Sequence, residues 1–220
     1  MEVTSFSKSG EHEIRNRKEE NNMDENTKKR LDQQFAFIRE IDREKFIGRQ
    51  TYLSDGRRKE NDAEHAWHMA IMAYLLQEYS NEKIDVARVM LMCLIHDVVE
   101  IDAGDTYAYD AEGLKTQKAR EEAAKERLYS MLPEDQKADL VAIFDEFEER
   151  KAPEAKFARA LDNLQPLLLN HSNDGGDWKN HDVTAEQVYG RQSRTREGSE
   201  KLFEVTDQIL KENIAKGNLK

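Results

Sequence analysis

A histidine and several carboxylates stand together in LIHDVVEIDAGD, residues 94–105, where an apolar run, VARVMLMCLI, ends. The pair His96–Asp97 comes first, and Glu100 and Asp105 are among the acids that follow. Ionisable groups at the end of a buried helix cost stability unless they are paired or bind a metal. An imidazole nitrogen beside a carboxylate oxygen suits Mn, Fe, Co, Ni, Cu or Zn better than Mg or Ca. This stretch therefore predicts part of a divalent-metal site.

Two further polar residues interrupt other apolar helix patterns. His65 lies in AEHAWHMA, and Asp162 lies in ARALDNLQP. Pro166 has no N–H for the carbonyl of Asp162, so we expect a bend beside this acid. A lone histidine on an apolar helix is more often a core residue than a ligand. Together with His96 and Asp97, however, these residues predict a site built from three helices.

The elements that must position these residues are predicted to be helical. Asn61 and Glu64 form a capping-box pattern that opens the helix carrying His65. The run at 84–98 is apolar on nearly all sides and is expected at the centre of the molecule, with Trp67 and neighbouring methionines in the core. Apolar residues recur at helical spacing in 31–46, 63–79, 84–98, 114–131, 134–150, 154–170 and a last segment around 202–210.

No strand pattern stands out, and 99–113 is expected to be a loop. The fold class is therefore all-α, a globular bundle of roughly seven helices. We predict one domain over residues 25–220, after a polar, disordered tail at 1–24 in which Met23 is an alternative natural start.

Bulk properties narrow the function. The chain has 220 residues and a net charge of −11, which argues against a general nucleic-acid binder but not against a small phosphorylated substrate. Its one cysteine, Cys93, lies in an apolar run and is expected to be a core residue, which fits a reducing cytoplasm. No apolar run reaches 18 residues and no secretory signal is present, so no membrane location is expected.

The motifs ENDAEHAWHMA, LIHDVVEIDAGD and ALDNLQP resemble those of the HD-domain metal-dependent phosphohydrolases, over about residues 30–212. The branch that the chain resembles most is the bacterial 5′-nucleotidase (5′-deoxynucleotidase) type. The resemblance implies an HD-domain helical bundle and hydrolysis of a phosphomonoester, most often a (deoxy)nucleoside 5′-monophosphate, by a metal-bound water. The metal ligands that it implies are His65, His96, Asp97 and Asp162.

The resemblance also implies working roles outside the ligand set. Glu100 would orient the water or take its proton, and Asp105 would hold water or protonate the leaving oxygen. Arg49 would bind the phosphate, because the planar guanidinium of arginine donates two parallel hydrogen bonds to phosphate oxygens. Gln50 follows Arg49 where the branch usually carries a tryptophan, so the sequence leaves the base and the sugar open. The cofactor is expected to be Mn, Co, Ni, Fe or Zn, and Mg suits the donors less well.

Several alternatives stay open at this point. The same metal centre would serve a phosphodiesterase or pyrophosphohydrolase acting on a nucleotide, and a non-catalytic nucleotide-sensing protein would keep the fold without turnover. His68 fits a packing role beside the site better than a ligand role. Two arginine-containing runs are either phosphate-facing or solvated: Arg57–Lys59, and Arg191, Arg194 and Arg196. The apolar face of the last helix would suit a homodimer.

Overall fold

The computed structural model describes residues 23–220, and these form a mainly helical molecule with one small sheet. Residues 1–22 of the predicted disordered tail lie outside this range, and Met23, the predicted alternative start, is its first residue. None of the described helices is long and apolar enough to cross a membrane. The helices are α1 (Glu25–Ile41), α2 (Asp62–Leu76), α3 (Val86–Ile95), α4 (Glu100–Ala103), α5 (Leu114–Tyr129), α6 (Glu134–Glu149), α7 (Pro153–Ser172), α8 (Gly176–Asn180), α9 (Ala185–Gln192), α10 (Thr195–Gly198) and α11 (Glu200–Ala215).

Helices α2, α3 and α7 form the centre, because α3 packs against both of the others. Their facing side chains are almost fully excluded from solvent, as Met69, Val89, Met92 and Leu161 show. The predicted central position of the apolar run is therefore confirmed. The prediction for Trp67 is wrong, since this side chain is 63% exposed on the outer face of α2.

The expected absence of strands is also wrong. Strands β1 (Gly48–Tyr52) and β2 (Lys59–Asn61) form an antiparallel hairpin that leads into α2. The turn between them includes Gly56 in the left-handed region at φ 69°, a conformation that costs glycine little. Asn61 then caps α2, and the predicted capping box with Glu64 is confirmed. The hairpin and the cap thus fix the start of the helix that carries His65.

The central helix α3 is shorter than the sequence predicts and ends at Ile95. The Nδ1 atom of His96 lies 2.9 Å from the carbonyl oxygen of Cys93, which a continuing helix would offer to a backbone N–H. Beyond this point the backbone bonds span three residues, as from Glu100 N–H to the Asp97 carbonyl at 2.8 Å. The segment predicted as a loop from residue 99 therefore begins with the short helix α4.

Candidate metal centre and active site

Three central elements bring the four expected ligands to one buried point. His65 comes from α2, His96 and Asp97 from the turn after α3, and Asp162 from the middle of α7. His65 Nε2 lies 3.3 Å from Asp162 Oδ1 and 3.9 Å from Asp97 Oδ2. His96 Nε2 lies 3.1 Å from Asp97 Oδ1 and 3.8 Å from Asp162 Oδ1. All four side chains are buried.

Hydrogen bonds fix which ring nitrogen of each histidine faces the cluster. His96 Nδ1 donates to the Cys93 carbonyl, so Nε2 carries the free lone pair, and this buried atom has no hydrogen-bond partner among the described residues. His65 Nδ1 donates to Gln165 Oε1 at 2.9 Å, so its Nε2 also faces the acids. Burial, reinforced by the charge of Arg49, lowers the pKa of His65 to about 4. The imidazole is therefore neutral at pH 7, as metal binding requires.

The donor set fits a divalent cation. Two donors that each lie about 2.1 Å from one ion are about 3.0–3.4 Å apart in octahedral or tetrahedral geometry, close to the separations within the cluster. One donor atom each from His65, His96 and Asp162 lie within 4.8 Å of one another. Two imidazole nitrogens with carboxylate oxygens are a mixed set that suits first-row transition metals.

A second group of acidic side chains adjoins the four expected ligands. Asp62, Glu100 and Asp105 each offer a carboxylate oxygen within 4.8 Å of the others. Burial and the neighbouring Asp97 charge raise the pKa of Asp62 to about 7 and raise that of Glu100 well above its usual range. Burial also raises the pKa of Asp105. Carboxyl groups whose pKa is raised by burial and neighbouring charge are candidates for general acid–base roles.

Asp62 is a site residue that the sequence analysis missed. It is fully buried at the first turn of α2, three residues before His65. That spacing puts both side chains on one helix face. It is the sequence feature from which Asp62 could have been predicted as a site residue.

Arg49 lies beside the same acids rather than apart from them. Its Nη1 donates to Asp97 Oδ2 at 2.7 Å and to Asp62 Oδ1 at 3.2 Å. Its Nε lies 3.7 Å from Glu60 Oε2 on the partner strand of the hairpin. A buried guanidinium among three carboxylates offsets part of their mutual repulsion.

Two arginines lie beside the Oδ2 atom of Asp162. Arg159 Nη1 donates to Asp162 Oδ2 at 2.9 Å, and Arg191 Nη2 lies 3.6 Å from the same oxygen. Burial alone would raise the pKa of Asp162, but the neighbouring His65 and the charges of Arg159 and Arg191 lower it well below its usual value. Sequence reasoning missed Arg159, which lies one helical turn before Asp162.

A buried amide connects the histidine of α2 to the hairpin. Gln165 accepts from His65, and its Nε2 donates to Glu60 Oε1 at 2.6 Å. The acceptor at Glu60 fixes the amide orientation, because only the nitrogen end can donate. His68 Nδ1 lies 3.2 Å from the same amide nitrogen, which agrees with the packing role expected for this histidine.

A cleft of about 680 Å³ opens onto the cluster. His96, Asp97 and Asp162 line it, together with Glu100 and Asp105. A smaller cavity of about 70 Å³ adjoins it and shares Arg49, Asp105 and Arg191. The cluster is thus reached from a cleft of a size suited to a small molecule.

The fold and the site define an all-α protein with a buried histidine–aspartate centre. Residues 41–203 match the family model described as HD domain, and the chain belongs to the HD-domain family. This agrees with the family resemblance and the helical fold predicted from the motifs.

Known proteins similar to this chain include a predicted metal-dependent phosphohydrolase of known structure and 5′-deoxynucleotidases. The crystal structure of a predicted metal-dependent phosphohydrolase from Magnetospirillum magnetotacticum superposes with a TM-score of 0.83 at 46% identity, covering 86% of this chain and 95% of that one. The human 5′-deoxynucleotidase HDDC2 is 30% identical over 112 residues, 51% of this chain and 53% of that protein. The 5′-deoxynucleotidase YfbR of Escherichia coli is 28% identical over 121 residues, 51% of this chain and 60% of that protein. The chain thus spans about half the length of these two enzymes.

Proposed function

We propose that this protein is a divalent-metal-dependent phosphohydrolase that releases phosphate from small phosphomonoesters, above all (deoxy)nucleoside 5′-monophosphates. The observation that carries the proposal is the convergence of His65, His96, Asp97 and Asp162 beside a small-molecule cleft that the last three of them line. The names of the similar proteins, two 5′-deoxynucleotidases and a predicted metal-dependent phosphohydrolase, support it.

The four converging residues would hold the cation through two imidazole nitrogens and two carboxylates. A bound divalent ion polarises the phosphoryl oxygens and lowers the pKa of an attacking water. Mn, Co, Ni, Fe or Zn suits these donors, and Mg suits them less well. Arg159 and the Gln165 amide hold Asp162 and His65 in place, so the donors are oriented before the ion arrives.

The adjoining acids supply the proton transfers. Glu100 borders the cleft next to Asp97 and would orient the attacking water and take its proton. Asp105 borders the same cleft and would hold water or protonate the leaving oxygen. Arg49 borders the same cleft and would contact the phosphate while it balances the charge of Asp97.

The proposal extends to assembly and location. We propose a homodimer that forms through the outer face of α2 rather than through the last helix. Trp67, Ile71, Tyr74 and Leu75 recur at helical spacing on α2 and are 42–63% exposed. The single buried Cys93 supports a reducing, cytoplasmic location.

A phosphate-release screen tests the proposed activity. Protein stripped and reloaded with each metal is given nucleoside 5′- and 3′-monophosphates and sugar phosphates. We expect metal-dependent release from 5′-monophosphates that Glu100→Ala abolishes. No release from any ester by the metal-loaded protein would contradict the proposal and favour a diesterase or a sensing protein.

The ligand assignment has its own test. Asp97→Ala should lose bound metal while circular dichroism shows an intact helical fold. Asp102→Ala is the matched control, because this acid lies in the next helix, α4, and pairs with Arg127 at the surface. Full metal occupancy in the Asp97 variant would contradict the assignment.

A further inference from the structure

Asp105 lies on a segment whose own backbone does little to hold it beside the other acids. Asp62 belongs to α2 and Glu100 to α4, whereas Asp105 lies in neither a helix nor a strand. Within residues 23–220, no backbone hydrogen bond is made by Asp105 or by Thr106 after it. One oxygen of each of the three carboxylates lies within 4.8 Å of the others, and such groups repel once they are ionised. Another contact must therefore keep Asp105 in place.

Arg120, in the second turn of α5, makes this contact. Its Nη1 donates to the carbonyl oxygen of Ala103, and its Nη2 donates to Thr106 Oγ1 at 2.7 Å. These two acceptors lie on either side of Asp105 in the chain. Nη2 also lies 3.4 Å from the carbonyl oxygen of Gly113, the residue before α5. One guanidinium thus ties the start and the end of segment 104–113 to α5.

The other hydrogen bonds of the segment leave Asp105 to Arg120. The N–H of Gly104 donates to the Glu100 carbonyl oxygen and closes α4. The hydroxyl of Tyr107 donates to Asp177 Oδ2 at 3.2 Å, which fixes the chain beyond Thr106. Between these two points, Arg120 supplies the hydrogen bonds.

Arg120 acts by position rather than by charge. Within the described part of the chain its hydrogen bonds all go to neutral oxygens, since Nε adds a bond to Thr116 Oγ1 at 3.3 Å. Burial raises the pKa of Asp105, and the largest effects of charge on it come from Arg49 and Asp97. Among the described residues, Arg120 lines neither the cleft nor the smaller cavity beside it. It can therefore influence a reaction in the cleft only through the segment that it holds.

We propose that Arg120 is a positioning residue that holds the carboxyl group of Asp105 at the cleft. This rests on the proposed function for the role of Asp105. A group that transfers a proton or holds water must stand at hydrogen-bond distance from the reacting atoms, and a displacement of about 1 Å can cost about 100-fold in rate.

Steady-state kinetics of the manganese-loaded protein test the effect on the reaction. Arg120→Met keeps an apolar stem and removes the donors, so kcat on adenosine 5′-monophosphate should fall about 10- to 100-fold while KM changes little. Arg127→Met is the matched control on the same helix, because Arg127 pairs with Asp102 and Glu40 and not with segment 104–113. It should keep the kcat of the parent.

A double-mutant cycle tests whether Arg120 acts through Asp105. In an Asp105→Asn background, Arg120→Met should cause no further loss of kcat, because the group that it positions is already gone. Losses that multiply would overturn the proposal. Thr106→Val removes an acceptor on the other side of the contact and should show the same lack of additivity, which keeps the test available if Arg120→Met does not fold.

Limited digestion with chymotrypsin tests the hold on the segment without turnover. Chymotrypsin cleaves after aromatic residues, and Tyr107 and Tyr109 are partly buried. Cleavage at these two residues should be about 10-fold faster in Arg120→Met than in the parent, and unchanged in Arg127→Met. An unchanged rate in Arg120→Met would overturn the proposal.

The two measurements separate this proposal from the proposed function. Faster cleavage together with an unchanged kcat would overturn the positioning role and leave the proposed function standing. Faster cleavage in a protein whose parent releases no phosphate from any ester would overturn the proposed function, and Arg120 would remain the residue that holds segment 104–113.

Discussion

At the scale of single residues, the proposed metal ligands could be predicted from the sequence, but the groups that orient them could not. His65, His96 and Asp162 stand out because each interrupts an apolar helix pattern. Gln165 also lies in such a pattern and is fully buried. Its role depends on Glu60, 105 residues away in the chain. A contact of that sequence separation leaves no local periodicity, so the sequence alone could not reveal it.

Gln165 is predicted to set metal affinity. Gln165→Leu leaves the Nδ1–H of His65 without an acceptor and frees the ring to turn, so affinity should fall about 10- to 100-fold. Competition against a fluorescent chelator measures it. Asn163→Leu is the matched control on the same helix, since this buried amide bonds to Thr195 and not to a ligand. Equal affinities in the two variants would show that Gln165 does not orient His65.

Glu44 is predicted to make stability depend on pH with an unusual sign. Burial, together with the Asp97 and Asp62 charges, raises its pKa to about 8 from 4.5. Between these values the folded chain holds a proton that the unfolded chain releases. The free energy of unfolding therefore decreases as pH rises through this window, by up to about 1.4 kcal/mol per pH unit.

Glu44→Gln should remove this dependence from the metal-free protein. The variant should match the parent near pH 4.5 and be more stable near pH 8, by an amount of the order of a few kcal/mol. Denaturant titrations across that range measure the difference. Glu40→Gln is the opposite control, because the hydrogen bond from Arg127 lowers the pKa of Glu40. A stability difference that does not change with pH would exclude this account of Glu44.

At the scale of elements, helical periodicity predicted the main helices but not the hairpin that carries Arg49. The inward-facing residues of β1 are Arg49 and Thr51. Because both are polar, β1 lacks the alternation of apolar and polar residues by which a strand is identified in a sequence. The early end of α3 could not be predicted for a related reason. The ring of His96 binds the Cys93 carbonyl oxygen, and the pattern of apolar residues carries no information about this hydrogen bond.

The packing of α10 on α7 gives a prediction at this scale. A Cβ added at Gly198 would lie 2.7 Å from the carbonyl carbon of Lys156 and 2.9 Å from the Cα of Phe157. Since both neighbours are backbone atoms of α7, the helices would have to separate. Gly198→Ala should lower the free energy of unfolding by about 1–3 kcal/mol.

The matched control is Gly190→Ala within α9. No atom lies within 4 Å of the Cβ position there, so this variant should be neutral or more stable by up to about 1 kcal/mol. Thermal unfolding of the two variants compares them directly. Equal melting temperatures would mean that α10 and α7 can move apart to accept the added Cβ without a loss of stability.

At the scale of the whole molecule, the outer face of α2 is an apolar surface that the described part of the chain leaves exposed to solvent. Its helix was predicted from periodicity, but the direction that Trp67 faces depends on which neighbours cover the other side. Trp67 is 63% exposed and Tyr74 is 60% exposed. These two rings alone leave about 200–300 Å² to solvent, a substantial part of the roughly 800 Å² that each partner of a stable dimer buries.

A second copy suits this face because the exposed positions on α2 are apolar and carry no charge. The chain as a whole has a net charge of −11, so two copies repel each other except where an uncharged surface meets another. The same helix holds His65 on its buried face. A dimer through α2 would therefore restrain the element that carries one of the proposed ligands.

The prediction is that Leu75→Lys converts a dimer into a monomer at micromolar concentration. One lysine on each copy would place like charges in an apolar contact and leave them unpaired. Val205→Lys on α11, where the side chain is 45% exposed, is the matched control and should stay dimeric. Light scattering after gel filtration measures the mass. A monomeric parent, or dissociation by Val205→Lys alone, would contradict the assignment of the interface to α2.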